Sequence, residues 1–236
     1  MPVGSLHFIP GTACDQRLWA RVQPLLRGYD ASYGSYSDAM SLEEMIAHVA
    51  ANIPLGCHLI GFSLGGYLAA EAVIRHHKRV KSLTLIATSL MGLSEEEKSL
   101  RRANAQTVLG SNYKGMSRRR LGQFVHPNHA SDPSITDIVK AMEQDTGQER
   151  LKNQLLATID RRDLRKLLPQ INVPIHLIGS NDDAICKIDP MKSVDAAEII
   201  RFTEVGAEGA TTGHMIPLEA PTTLAAVMTG FFFDID

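Results

Sequence analysis

A serine set among glycines, a histidine in a late loop and a pair of aspartates between them have the types and order that nucleophilic chemistry needs. The first lies in Gly61-Phe62-Ser63-Leu64-Gly65, which follows the apolar run "CHLI" and precedes the helix-forming run "YLAAEAV". In G-x-S-x-G at a strand-to-helix junction, the serine sits on a sharp, strained turn with its hydroxyl presented outward. Positions two before and two after it come too close for side chains, which accounts for Gly61 and Gly65. Gly66 is expected to ease packing of the new helix on neighbouring strands. The helix start also aims free N–H groups and a positive dipole end at the serine.

A serine hydroxyl is a weak nucleophile and needs a base, itself oriented by an acid. Of the nine histidines, His7, His58 and His176 fall in apolar, strand-like runs and read as structural. His48 sits within a helical pattern, His76 and His77 end another, and His126 and His129 lie in a long intervening segment. His214, in "GATTGHMIPLEAP", occupies a loop after the last strand-like run and is the expected base. The acid is expected in Ser180-Asn181-Asp182-Asp183, at the carboxyl end of "VPIHLIG", where functional groups gather in α/β sheets. Asp182 is favoured and Asp183 is the alternative. For the oxyanion, the backbone N–H of Leu64 is one expected donor and that of Thr12, in the loop "FIPGTACDQRLW", the other.

The elements around these residues alternate. "SLHFIP", "YDASY", "CHLIGF", "VKSLTLIAT", "VPIHLIG" and "EIIRFTEV" read as strands, several of them unbroken apolar runs of the kind buried parallel strands show. Between them "RLWARVQPLL" (despite Pro24), "SLEEMIAHVAANI", "LGGYLAAEAVIRHH" and "PMKSVDAA" read as helices, and "PTTLAAVMTGFFF" closes the chain with Pro221 in its first turn. Ser41 and Glu44 form a capping-box signature. The pattern predicts an α/β fold with about six parallel strands.

Met91–Leu168 breaks the alternation. It offers helical stretches ("SEEEKSLRRANAQTVL", "SITDIVKAMEQ", "ERLKNQLLATIDRRDLRKLL") and no convincing strand. It carries net charge +4 in a chain of net −2. We expect a helical lid at 91–168, inserted after the strand ending near Thr88, with the core formed by 1–90 and 169–236. Met91, Leu93, Met116 and Phe124 are its candidates for lining a substrate pocket.

Composition excludes several classes. The 236 residues are 44% hydrophobic and 21% charged, as in an ordinary globular domain. The near-neutral charge gives no reason to expect nucleic acid or an anionic membrane as partner. Cys14, Cys57 and Cys186 are an odd, scattered set, which suggests a reducing, cytoplasmic setting and no zinc site. The start, "MPVGSLHFIPG", has neither a basic nor a long apolar stretch, so no signal peptide or membrane span is expected. The oligomeric state is left open.

With these motifs in order, the sequence resembles the α/β-hydrolase superfamily, particularly its small lid-bearing esterase and enol-lactonase-like members. "PGTACDQRLW", "GFSLGGYLA", "RRDLRKLLPQINVPIHLIGSNDDAI" and "GHMIPLEAP" each match a family block. Two departures stand out. Pro10-Gly11 replaces the usual His-Gly, and the chain opens at what resembles the family's third strand, without the leading hairpin. Serine at 63 argues against the dehalogenases, and Leu64 against the iminopeptidases. The resemblance implies hydrolysis of a small ester or lactone on Ser63, His214 and Asp182, with no metal or organic cofactor. C–C bond hydrolysis, acyl transfer or perhydrolysis on the same triad, or a ligand sensor without turnover, are the alternatives.

Overall fold

The computed structural model describes residues 4–76, 80–110, 113–192, 194, 199–206 and 211–235. Six strands form one sheet: β1 (Gly4–Ile9), β2 (Tyr29–Tyr33), β3 (His58–Phe62), β4 (Ser82–Ile86), β5 (Ile175–Gly179) and β6 (Ile200–Glu204). Their order is β2-β1-β3-β4-β5-β6, and every neighbouring pair is parallel. This is the predicted six-stranded α/β architecture. β3, β4 and β5 are buried along their whole length, as expected where helices cover both faces.

One face packs against α1 (Leu42–Asn52) and α2 (Leu64–His76). Ser41 caps α1 by accepting the Glu44 N–H at 3.2 Å, while Glu44 reaches back to the N–H of Met40, one residue beyond a standard capping box. The other face is covered by Leu18, Trp19 and Val22 and by the last helix. The single helix expected over "RLWARVQPLL" is instead two 3-10 turns, Gln16–Trp19 and Gln23–Leu25. Pro24 cannot donate to a continuing helix, so the run breaks before it.

From β4 to β5 the described residues hold only helices and turns: α3 (Glu95–Leu109), α4 (Arg118–Phe124), α5 (Pro133–Thr146) and α6 (Gln148–Ala157). α4 was not anticipated. The stretch expected as one helix from Glu149 to Leu168 stops at Ala157, and a 3-10 turn follows at Leu168–Gln170. After β5 come α7 (Asp189–Lys192), α8 (Ile216–Glu219) and α9 (Pro221–Phe233). Most of "SVDAA", expected to continue α7, lies outside the described residues, as does His77. Among the described residues no helix is long and apolar enough to cross a membrane.

Candidate active site

β3 delivers Ser63 to the carboxyl edge of the sheet and α2 begins at the next residue. Ser63 has φ +52°, a left-handed conformation rare for a residue with a side chain. The turn is held by the Ser63 N–H donating to the Ile86 carbonyl at the end of β4, 2.9 Å away. A Cβ on Gly61 would fall 2.4 Å from the Gly66 Cα, so the turn admits only glycine there. Gly65 is constrained from another side: its Cβ would stand 2.2 Å from the Pro10 carbonyl oxygen, at the end of β1. The side chain of Thr88, just beyond β4, occupies the space beside Gly66.

His214 is almost fully buried. Its Nε2 lies 3.1 Å from the Ser63 Oγ and its Nδ1 2.7 Å from the Asp183 Oδ2. A buried carboxylate accepts, so Nδ1 carries the proton and the Nε2 lone pair faces the serine hydroxyl. The imidazole is enclosed by the rings of Phe62 and Phe124, with centroids 5.0 and 5.8 Å away.

The partner of His214 is therefore Asp183 and not the favoured Asp182. The turn after β5 decides it. Asp183 is fully buried and its other oxygen accepts the N–H groups of Ile185 and Cys186, both at 2.8 Å. Asp182 points outward, its side chain half exposed and its carboxylate 3.9 Å from His126. Both positions are four or fewer residues past the strand, and spacing alone did not separate them.

Leu64 follows Ser63 at the start of α2, and Thr12 follows Gly11 in the loop after β1. Gly11 packs on the serine, its virtual Cβ 3.1 Å from the Ser63 Cβ. Among the described residues neither the Leu64 N–H nor the Thr12 N–H has a hydrogen-bond acceptor, while the next N–H, of Ala13, donates to the buried Gln154 Oε1 at 2.8 Å. Ala13 is itself left-handed, with φ +55°. A loop that starts in β1 is thus pinned by α6, a contact nothing in the sequence announces.

Beside Thr12 lies a shallow cleft walled by Thr12, Met116, Arg120, Phe124, Glu143 and Met215, among others. Met116 and Phe124 are in its lining. Met91 and Leu93 are not among the residues that wall this cleft. Beyond β4, the Leu90 carbonyl accepts the Leu164 N–H at 2.8 Å and the Met91 carbonyl accepts Arg161 Nε at 3.0 Å.

Glu219 also escaped notice in the sequence. Its buried carboxylate accepts three backbone N–H groups: Gly213 at 3.1 Å and Met215 at 3.0 Å, which flank His214, and His126 at 2.8 Å. Burial raises its pKa, and those three donors oppose the rise. The Phe124 carbonyl accepts the His214 N–H at 2.9 Å, so the histidine loop and the end of α4 are joined. The one available signal was a lone acid inside the apolar run "MIPLEAP". Among the described residues no group of three or more His, Cys, Asp or Glu is arranged to hold a metal ion.

The sequence profile of the alpha/beta hydrolase family matches residues 8–227. The pimeloyl-[acyl-carrier protein] methyl ester esterase of Chromobacterium violaceum is 30% identical over 144 residues, covering 59% of this chain and 57% of that protein. The chain thus spans little more than half the length of this curated relative. In fold it is similar to an esterase from Thermogutta terrifontis (TM-score 0.83, 18% identity, 99% of this chain and 91% of that one). It is likewise similar to a hydrolase from Pseudomonas aeruginosa (TM-score 0.81, 20% identity, 97% and 89%). With nearly the whole length matched by the profile, the chain belongs to the alpha/beta hydrolase family.

Proposed function

We propose that the protein hydrolyses a small carboxylic ester or lactone through an acyl-enzyme on Ser63. The observation that carries this reading is the continuous hydrogen-bonded relay from the Ser63 hydroxyl through His214 to the buried Asp183. His214 Nε2 takes the hydroxyl proton as Oγ attacks the ester carbonyl, and Asp183 stabilises the imidazolium. The unpaired N–H groups of Leu64 and Thr12 receive the oxyanion; a single such donor is worth about 10²–10³ in kcat elsewhere. The imidazolium then protonates the leaving alcohol. Water, deprotonated by the same histidine, releases the acid and frees the serine.

The helices of 91–168 are read as a small lid over the site, which favours a modest acyl group. A methyl ester, as in the name of the Chromobacterium relative, is a candidate substrate. The unpaired Cys14, Cys57 and Cys186 favour a reducing, cytoplasmic location. The test compares wild type with Ser63→Ala on aryl acetate, butyrate and laurate and on simple lactones. Turnover in wild type that is lost in Ser63→Ala, and best on the short esters, is expected. Activity surviving in Ser63→Ala, or a folded wild type inert on every ester and lactone, contradicts the reading.

A further inference from the structure

The loop after β1 turns over Gly11–Cys14, closed by the Cys14 N–H donating to the Gly11 carbonyl at 3.2 Å. Its third residue, Ala13, has φ +55°, at a position that hydrogen-bonded turns usually give to glycine when φ is positive. Alanine is less at ease there than glycine, so contacts outside the turn have to hold it. The entry is fixed by Tyr36, whose hydroxyl donates to the Pro10 carbonyl at 3.0 Å. Inside the turn, the Ala13 N–H donates to the Gln154 Oε1 at 2.8 Å. Among the described residues this is the one hydrogen bond that ties Gly11–Cys14 to another element.

Gln154 lies on α6, where it and Leu151 are the buried residues. They are three apart and so share one face of the helix. Leu151 packs with Ala13 and with Val108 of α3. Beside such a cluster an apolar side chain would be the cheaper choice, because a buried amide is unfavourable unless it is hydrogen-bonded. The bond to Ala13, 141 residues away, accounts for the glutamine. The N–H it holds adjoins that of Thr12, which follows Gly11, and Gly11 packs directly on Ser63. A donor displaced by about 1 Å from a reacting centre costs roughly 100-fold in rate.

We propose that Gln154 is a positioning residue for the oxyanion site: through the Ala13 N–H it fixes the Gly11–Cys14 turn and so holds the Thr12 N–H toward the oxyanion formed at Ser63. The inserted helices then do more than cover the site, since one of them shapes a catalytic loop of the core. The role of Gln154 rests on the ester-hydrolase reading and on Thr12 as a donor.

Gln154→Met removes the acceptor at similar volume, and Gln154→Asn withdraws it by one methylene; if the first does not fold, the second carries the test. kcat and KM on an aryl acetate are measured per site counted by fluorophosphonate labelling run to completion, with Tm alongside. One oxyanion donor is worth about 10²–10³ in kcat, and a loosened one should cost about 10–100-fold with KM within about twofold. The affinity of an aryl boronic acid, whose tetrahedral adduct on Ser63 puts an oxygen against the same donors, should weaken by a similar factor. The acid limb of the pH profile should stay in place, because His214 and Asp183 are untouched. A loss of about tenfold or more in kcat and in boronic-acid affinity, at constant KM, supports the role. A smaller loss in either, a change in KM alone, a fall in Tm with kcat per site unchanged, or a displaced pH profile overturns it. A wild type that turns over no ester and takes no label instead defeats the ester-hydrolase reading, and the role of Gln154 with it.

Discussion

Replacing Asp183 by asparagine should cost about four orders of magnitude in kcat, while Asp182→Asn should cost less than about twofold. The introduced carboxamide keeps an oxygen for the N–H groups of Ile185 and Cys186, now accepted by Asp183 at 2.8 Å each, so the turn should survive. Its NH₂ group, however, would face His214 Nδ1, where a carboxylate oxygen sits at 2.7 Å. An N–H donor there forces Nδ1 to accept, and the ring proton moves to Nε2. That nitrogen then has no lone pair for the Ser63 hydroxyl. The same tautomer reversal in a comparable triad costs about 10⁴-fold, or ~5 kcal/mol in the barrier. Asp182, half exposed with His126 3.9 Å away, contributes no such constraint, and a surface change of this kind stays within about 0.5 kcal/mol. The assay is kcat per titrated active site on an aryl ester, with Tm measured alongside. Equal losses, or a larger one at Asp182, would refute the assignment.

Three further outcomes follow from buried groups. Burial pushes His7 and His176 down to about 4 from 6.5. Between those values the unfolded chain binds more protons, so this stability is full above pH ~6.5 and lost as pH falls towards ~4, by up to about 3 kcal/mol per histidine. Tm should therefore drop across that window and drop less steeply in His176→Leu; an unchanged slope contradicts this. Gly65→Ala, with its Cβ 2.2 Å from the Pro10 oxygen, should cost about 3 kcal/mol or more. Gly230→Ala, in open space on α9, should gain about 0.5–1 kcal/mol; denaturant unfolding of both checks the contrast. Glu219→Gln turns an amide towards N–H groups that a carboxylate now serves, so it should lower stability by about 2 kcal/mol and slow kcat with KM little changed. A wild-type kcat per titrated site would limit Glu219 to a structural part.

The strands and the nucleophile turn were legible because their signals are local. An unbroken apolar run, a G-x-S-x-G junction and a Pro at a helix start each act within a few residues. The acid was misplaced by one position because Asp182 and Asp183 differ only in how a four-residue turn rotates them, and that rotation depends on contacts with Thr212 and Cys186. Gly65 was read as facing Gly61, whereas the carbonyls at the end of β1 crowd it, a contact made across the sheet. The partners of Ala13, Gly213 and His126, namely Gln154 and Glu219, lie 141, 6 and 93 residues away. Two of those three separations leave no periodic trace. The carbonyls of Leu90 and Met91 likewise pair with Leu164 and Arg161, about seventy residues on.

The central claim is that Ser63 is activated by His214. Intact-mass and peptide mass spectrometry after a fluorophosphonate probe measures it directly. The account predicts a single adduct on Ser63, formed rapidly in wild type and slowed by orders of magnitude in His214→Ala with the fold unchanged. An unlabelled wild type, an adduct elsewhere, or equal rates with and without His214 would contradict it.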